Sequence, residues 1–239
     1  MIPKIIHYCW FGGNPMPKDS LNNIESCKKY NPDYKVIIWN ENNFDITANK
    51  YMKEAYDNKK YAFVTDYVRL KVLYDYGGIY MDTDVEVLKS FDSLLDHHAF
   101  SGFEGFDRIQ TGTMGAEPGN RWIELLLHDY DEKEFILPDG SFDLTTNVSQ
   151  ITNTTKKKYP IVLNNTFQEL GDFTIYPFDY FCAKDLDDGV IKATENTITI
   201  HHFNGSWTTP KKKFIRFLNN TVGNQFVQFL VRIKHFVLG

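Results

Sequence analysis

Cysteine is scarce in this sequence. Cys9, Cys27 and Cys182 are the only three. The number is odd and no two have C-x-x-C spacing, so neither a disulfide framework nor a cysteine zinc site is indicated. A reducing compartment is the expectation. A basic surplus is also missing. With 26 Lys and Arg against 31 Asp and Glu, the net charge is −5, whereas a nucleic-acid binder needs a basic patch or stripe. No apolar run of about 18 residues is present to span a bilayer. The apolar stretch Met1–Phe11 carries Lys4 and His7 and no signal-peptide cleavage pattern. Without an export signal, sequons such as Asn147-Val148-Ser149 and Asn204-Gly205-Ser206 read as chance in an Asn-rich chain. No internal repeat or low-complexity linker occurs.

What is present is an ordinary globular composition of 239 residues, rich in aromatics at 15%. That length fits one domain able to bury roughly 70–75% of its unfolded surface. Ile2–Trp10 reads as a buried strand stopped by Gly12-Gly13. A helix capped by Asp19 or Ser20 runs to Tyr30, where Asn31-Pro32 ends it. Tyr34–Trp39 is a second strand, and Ala48–Asp57 a second helix. Strand and helix thus alternate, which argues for an α/β domain with a mainly parallel central sheet. Tyr61–Tyr76 is the clearest helix, with Ala62, Val68, Val72 and Tyr76 at helical spacing and Gly77-Gly78 as the stop. Ile79-Tyr80-Met81 is a short strand that runs into Asp82-Thr83-Asp84, and Val85–Leu88 continues beyond. Further on, Thr111–Ala116 reads as a strand. A helix starts at Pro118 or Asn120 and ends at His128, Leu144–Lys158 reads as helix, and Thr197–Phe203 reads as a late strand.

Three groups of residues carry chemistry. Asp82 and Asp84 stand at a strand end, where open α/β sheets bind ligands. In a turn, two such carboxylates can converge on one cation, and hard oxygen ligands suit Mn²⁺ or Mg²⁺. A bare D-x-D is a common acidic turn, but here it follows Tyr76-Gly77-Gly78-Ile79-Tyr80-Met81. Asp66 and Arg69 share one helix face at i, i+3. They are either an ordinary surface ion pair or a pair aimed at the same strand end. In His201-His202-Phe203-Asn204-Gly205-Ser206-Trp207, strand alternation sends the two histidines to opposite faces, so one can reach a metal. By spacing alone, a core strand with a satisfied histidine is the slightly favoured reading.

Together, Ile2-Pro3-Lys4-Ile5-Ile6-His7, Trp39, Ala62 to Arg69, Gly77 to Asp84 and His201 to Trp207 resemble glycosyltransferase family 32. These are DXD-motif sugar transferases that include bacterial capsule and polysaccharide enzymes. The resemblance implies a GT-A (Rossmann-like) fold, a nucleotide-diphosphate sugar donor, with UDP-sugar favoured, and retention of anomeric configuration. It makes Asp84 the main metal ligand, joined by Asp82 and His202, with Mn²⁺ or Mg²⁺ as cofactor. Asp66 and Arg69 hold the donor sugar and, with Asp84, are the expected catalytic residues. Tyr80, Ser206 and Trp207 contact the donor, and Ile6, His7, Tyr8, Trp10, Trp39 and Ala62 line the nucleoside pocket. The acceptor is a glycan or lipid-linked oligosaccharide. The chain departs from its relatives at Thr145-Thr146-Asn147, where they often carry Thr-Gly-Pro, and the resemblance implies that this segment faces the acceptor.

The division expected is a GT-A domain over 1–210 and a basic, amphipathic helical segment over 211–239. Lys211-Lys212-Lys213 followed by Phe214, Phe217, Phe226, Phe229 and Phe236 suits an interfacial helix at an anionic membrane. It suits equally a helix docked on the domain's own core or on a second subunit. The expected location is the cytoplasm, with contact at the inner face of the cell membrane. Two rival functions remain. A haloacid-dehalogenase-like phosphatase would use Asp82 and Asp84, but it wants Thr or Val where this chain has Glu86. A non-catalytic sugar-nucleotide-binding module would use the acids only to hold an ion.

Overall fold

The first strand, β1 (Ile5–Cys9), sits between two parallel neighbours and alternates its side chains between two cores. Ile6 and Tyr8 pack with Ile24 and Cys27 of the following helix, whereas Cys9 packs with the opposite cluster. The computed structural model describes residues 1–185 and 189–204. In chain order, β1 is followed by α1 (Lys18–Tyr30), β2 (Lys35–Trp39), α2 (Lys50–Asp57), α3 (Tyr61–Tyr76), β3 (Gly78–Met81) and β4 (Val85–Val87). Then come β5 (Ala99–Glu104), β6 (Arg108–Ile109), β7 (Thr113–Ala116), α4 (Arg121–His128), α5 (Asn147–Lys158), β8 (Gln168–Glu169), β9 (Thr174–Tyr176), α6 (Phe178–Phe181) and β10 (Thr199–His201).

The sheet runs β2-β1-β3-β7-β5-β9-β8, with β6 paired to β5 and a separate ribbon of β10 and β4. It is mixed. The β2-β1-β3 half and the β5-β9 pair are parallel, while β3-β7-β5 and β9-β8 are antiparallel. The parallel half is the one whose strand–helix alternation was legible. Strand β5 was not foreseen. All six of its residues are buried, so it has no alternation to read. Most boundaries fall within two residues of expectation. Helix α1 begins at Lys18, after Pro17, and neither Asp19 nor Ser20 caps it. At α4 the Asn120 side chain accepts from the N–H groups of Trp122 and Ile123, a standard N-cap.

Helix α3 is the centre of the molecule. It packs against α2, α4, β1, β3 and β7, and Val64, Val68, Leu70, Val72 and Leu73 are all fully buried. A helix enclosed on most sides cannot keep Asp66 and Arg69 in water, and both are buried, 8% and 5% exposed. The surface-ion-pair reading is therefore excluded.

The stop after α3 is dictated by space as much as by backbone. Gly77 and Gly78 have φ of +63° and +100°, a region open chiefly to glycine. A Cβ on Gly78 would lie 2.6 Å from Ile5 O, and one on Gly77 would lie 2.6 Å from the Pro118 ring. This close approach lets the chain turn from α3 straight into β3 beside β1. His7 locks the turn. Its Nε2 meets Gly77 O at 2.7 Å, and its Nδ1 receives the Trp39 indole N–H at 3.0 Å. An indole N–H only donates and a carbonyl only accepts. The ring is therefore the neutral, Nε2-protonated tautomer.

Burial holds the His7 pKa down at about 4, against a weaker upward pull from the Gly77 bond. Below pH 6.5 the unfolded chain takes up a proton at this position and the folded one does not. Stability therefore falls as pH drops from about 6.5 to about 4, by about 3 kcal/mol from this group alone. Urea denaturation across that range measures it, and His7→Gln, which has no titrating ring, should flatten this part of the profile. Leu70→Ala should cost about 2–5 kcal/mol by the same measurement, through the cavity it opens under the sheet.

Candidate functional site

Strand β3 delivers its side chains to the site. Its last residue, Met81, is followed by a turn in which Val85 N–H bonds back to Asp82 O at 3.1 Å. Two anchors fix that turn. Asp82 N–H donates to Gly112 O at 2.9 Å, and the Asn23 side chain of α1 donates to Thr83 O at 3.0 Å. The two carboxylates then meet an imidazole from the far end of the described chain. Ligand-type atoms of Asp82, Asp84 and His201 all lie within 4.8 Å of one another. His201 Nε2 is 3.2 Å from Asp84 Oδ1 and 3.9 Å from Asp82 Oδ2.

The imidazole in this cluster is His201, whereas the family resemblance pointed to His202. The reason is the register of β10. It pairs antiparallel with β4, His201 opposite Val85. Alternation turns Thr199 and His201 inward, where Thr199 bonds Phe181 O, and turns His202 outward. His202 Nε2 instead meets Glu86 Oε2 at 2.9 Å. Past the strand, Phe203 adopts φ +53°, strained for a residue with a bulky side chain. Its ring stacks on His201 at 4.0 Å. The next N–H, that of Asn204, donates to Asp84 Oδ2 at 2.8 Å.

Electrostatics follow from this packing. Burial pushes the Asp84 carboxyl up, but the His201 charge, the His201 hydrogen bond and the Asn204 N–H outweigh it and hold it at about 2. Burial opposes protonation of His201, and the Asp84 carboxylate overrides that and keeps its pKa well above the usual value. Two carboxylates and one imidazole, drawn together at a strand end, are a donor set that fits Mn²⁺ or Mg²⁺. Such a cation would displace the proton shared between His201 and Asp84.

Beside the acids lies a buried polar network that joins α3 to β3. Arg69 Nη2 donates to Asp66 Oδ1 at 3.1 Å, and Nη1 donates to Thr111 O at 2.8 Å and lies 3.3 Å from Asp82 Oδ1. Its guanidinium sits 4.6 Å over the Tyr80 ring, and the Tyr80 hydroxyl donates to Asp82 Oδ1 at 2.7 Å. One arginine thus ties Asp66 to the D-x-D turn. Asp66 itself is pushed up to about 6, because burial outweighs the pull of Arg69.

Other expected site residues are placed differently. Ile6, His7 and Tyr8 have no exposed side chain, the two nitrogens of His7 are committed as described, and Trp39 is buried against Tyr76 and Phe44. They are interior packing residues, and none of them presents an open side chain. Trp10 and Ala62 are half-buried, and the Trp10 indole N–H bonds Asn14 O at 2.7 Å. Ser206, Trp207 and the 211–239 segment lie outside the described residues. The structure adds residues that the sequence reading missed. Gly112 has a position where a Cβ would lie 2.8 Å from the His201 ring and 3.2 Å from Asp82 Oδ2. A glycine just ahead of a strand is a usable signal of such close approach. Glu104, at the end of β5, is buried and its carboxyl is raised by burial, against the nearby His201 and Arg108. The three cysteines are free and buried. Burial pushes the Cys182 thiol up, despite His201 beside it, so it is a neutral neighbour and no nucleophile.

Part of this chain is similar to known sugar transferases. Residues 17–101 match a glycosyltransferase sugar-binding region containing the DXD motif. That segment includes Asp66, Arg69, Asp82 and Asp84. Inositol phosphoceramide mannosyltransferase 3 of Schizosaccharomyces pombe is 32% identical over 126 residues, 51% of this chain and 35% of that protein. Mannosyl phosphorylinositol ceramide synthase SUR1 of Saccharomyces cerevisiae is 30% identical over 148 residues, 57% of this chain and 37% of that protein. The chain thus spans between a third and a half of the length of these relatives. Among solved structures, PaToxG glycosyltransferase superposes with a TM-score of 0.51 at 19% identity, over 66% of this chain and 70% of that one. The fold is GT-A. No helix among the described residues is long and apolar enough to cross a membrane.

Gly112→Ala should displace His201 and weaken Mn²⁺ binding by about 10–100-fold, the scale of losing a residue that positions a ligand. Titration calorimetry with Mn²⁺ measures it, and an unchanged affinity would separate His201 from the ion.

Proposed function

We propose that this chain is a metal-dependent, retaining glycosyltransferase. It moves a hexose from a nucleotide-diphosphate donor, a UDP-sugar by preference, to a hydroxyl of a glycan or lipid-linked glycan in polysaccharide synthesis. The observation that carries the reading is the meeting of Asp82, Asp84 and His201 at the end of β3, next to the buried Asp66–Arg69 pair in a GT-A fold. The names of the relatives, which are sugar transferases to inositol phosphoceramides, support a lipid-linked acceptor.

In this reading Asp82, Asp84 and His201 hold a Mn²⁺ or Mg²⁺ ion. When bound, the ion supplies positive charge against a departing diphosphate. The chain's own residues do the rest. Arg69 and Asp66 hold sugar hydroxyls, and Tyr80 with Arg69 fixes the Asp82 carboxylate in place. Such preorganised groups stabilise charge without reorganising during reaction, which is usually the largest catalytic contribution. The acceptor oxygen bonds to the anomeric carbon on the face the phosphate leaves. The acceptor proton passes to a phosphate oxygen, so no separate base is required. The His201 imidazole beside the two acids, in a GT-A fold, supports a transferase over a phosphatase of the haloacid-dehalogenase type.

A thermal-shift screen of nucleotide-sugars with Mn²⁺ should reveal the donor, because a ligand of the folded state raises its apparent stability. With that donor, Asp84→Ala should lower metal-dependent hydrolysis and transfer by at least about 100-fold with an unchanged circular dichroism spectrum. Full activity in this variant would overturn the assignment, and rapid phosphate release from phosphate esters with no use of sugar nucleotides would favour the phosphatase.

A further inference from the structure

Helix α5 turns one face to the interior, made of Asn147, Ile151, Thr152 and Thr155. Two of its three polar members are satisfied. Thr155 Oγ1 accepts from the Trp122 indole N–H at 2.9 Å, and Thr152 Oγ1 accepts from Ile109 N–H at 2.9 Å. Asn147 is not. It is 7% exposed, and both its Oδ1 and its Nδ2 are buried with no hydrogen-bond partner. Buried polar groups are almost always paired, and one that is not calls for a cause. Capping is not that cause, because Thr146 fills the role by accepting from Ser149 N–H at 3.3 Å.

The amide is directed at the Asp66 side of the site. A weak contact with the amide pulls the pKa of the Asp66 carboxyl down, but it falls short of hydrogen-bond geometry and leaves the amide unsatisfied. Asp66 already accepts from Arg69. An unpaired donor and an unpaired acceptor on one rigid, neutral amide, beside a carboxylate, match neighbouring hydroxyl groups of a sugar ring. A phosphate would leave the Oδ1 acceptor unpaired.

We propose that Asn147 is a donor-sugar specificity residue, which binds hydroxyls of the transferred hexose beside Asp66. This rests on the donor-site reading above. A hydroxyl-bearing ligand that satisfies the amide is favoured strongly over one that leaves it unpaired, so the identity of the sugar is read here.

The test is titration calorimetry on the full chain with Mn²⁺. UDP is compared with UDP-glucose and UDP-galactose, and GDP with GDP-mannose, in the wild type, Asn147→Ala and Asn147→Ser. One sugar nucleotide should bind the wild type more tightly than its own nucleoside diphosphate. Asn147→Ala should weaken that sugar nucleotide at least tenfold, leave the diphosphate unchanged, and leave the melting temperature unchanged or higher. Three results overturn the proposal: a sugar preference that survives in Asn147→Ala, an equal loss for sugar nucleotide and diphosphate, or unfolding of both variants, which would make the amide structural. Failure of the wild type to bind any of these nucleotides would instead remove the donor-site reading itself.

Discussion

The arrangement of this molecule depends on a single buried guanidinium. Arg69 lies in the middle of the most enclosed helix and touches Asp66 on its own helix, Asp82 after β3 and the Thr111 carbonyl before β7. A charge taken that far from water is costly unless every donor is used and opposite charge is close. Nearby carboxylates and the Tyr80 ring supply that compensation. As a contribution to stability such a network is modest at best, since apolar packing of the same volume often does as well. Its effect is positional. It fixes the place of the D-x-D turn relative to α3.

The rest of the site is assembled around that constraint by backbone. Gly77 and Gly78 let β3 leave α3 without a loop, so Asp66, Arg69, Asp82 and Asp84 come from one short helix–strand unit. Gly112 leaves room for His201 to approach the acids. His7, neutral and bonded to Trp39 and Gly77, holds the wall behind them. Each of these residues acts by shape or by a fixed hydrogen bond, and each would be silent in an inventory of charged groups.

The compensation has a chemical consequence. Asp84 is held ionised by His201 and Asn204, while Asp66 is raised by burial. Two carboxyl groups joined to one polar network therefore differ in proton affinity. Environments that separate titratable groups in this way are typical of functional sites. In the proposed function, they suit Asp84 to a cation and Asp66 to hydroxyl groups.

Much of this was legible in the sequence. The helix Tyr61–Tyr76 announced itself by spacing and by its glycine stop, and the strand that ends at Asp82-Thr83-Asp84 by its apolar run. Both signals are local, since periodicity and backbone freedom are properties of neighbouring residues. The sequence also placed Asp66 and Arg69 on one helix face. Only the tertiary structure decided that this face is interior, because its burial comes from α2, α4 and the sheet packing against α3. The same holds for β5, whose residues are buried on both faces and so carry no period. It holds for the choice between His201 and His202, which is set by the pairing of β10 with β4, two segments more than a hundred residues apart. It holds most clearly for Asn147. Its neighbours in the chain show an ordinary helix start, and only the packing of α5 leaves its amide buried and unpaired beside Asp66.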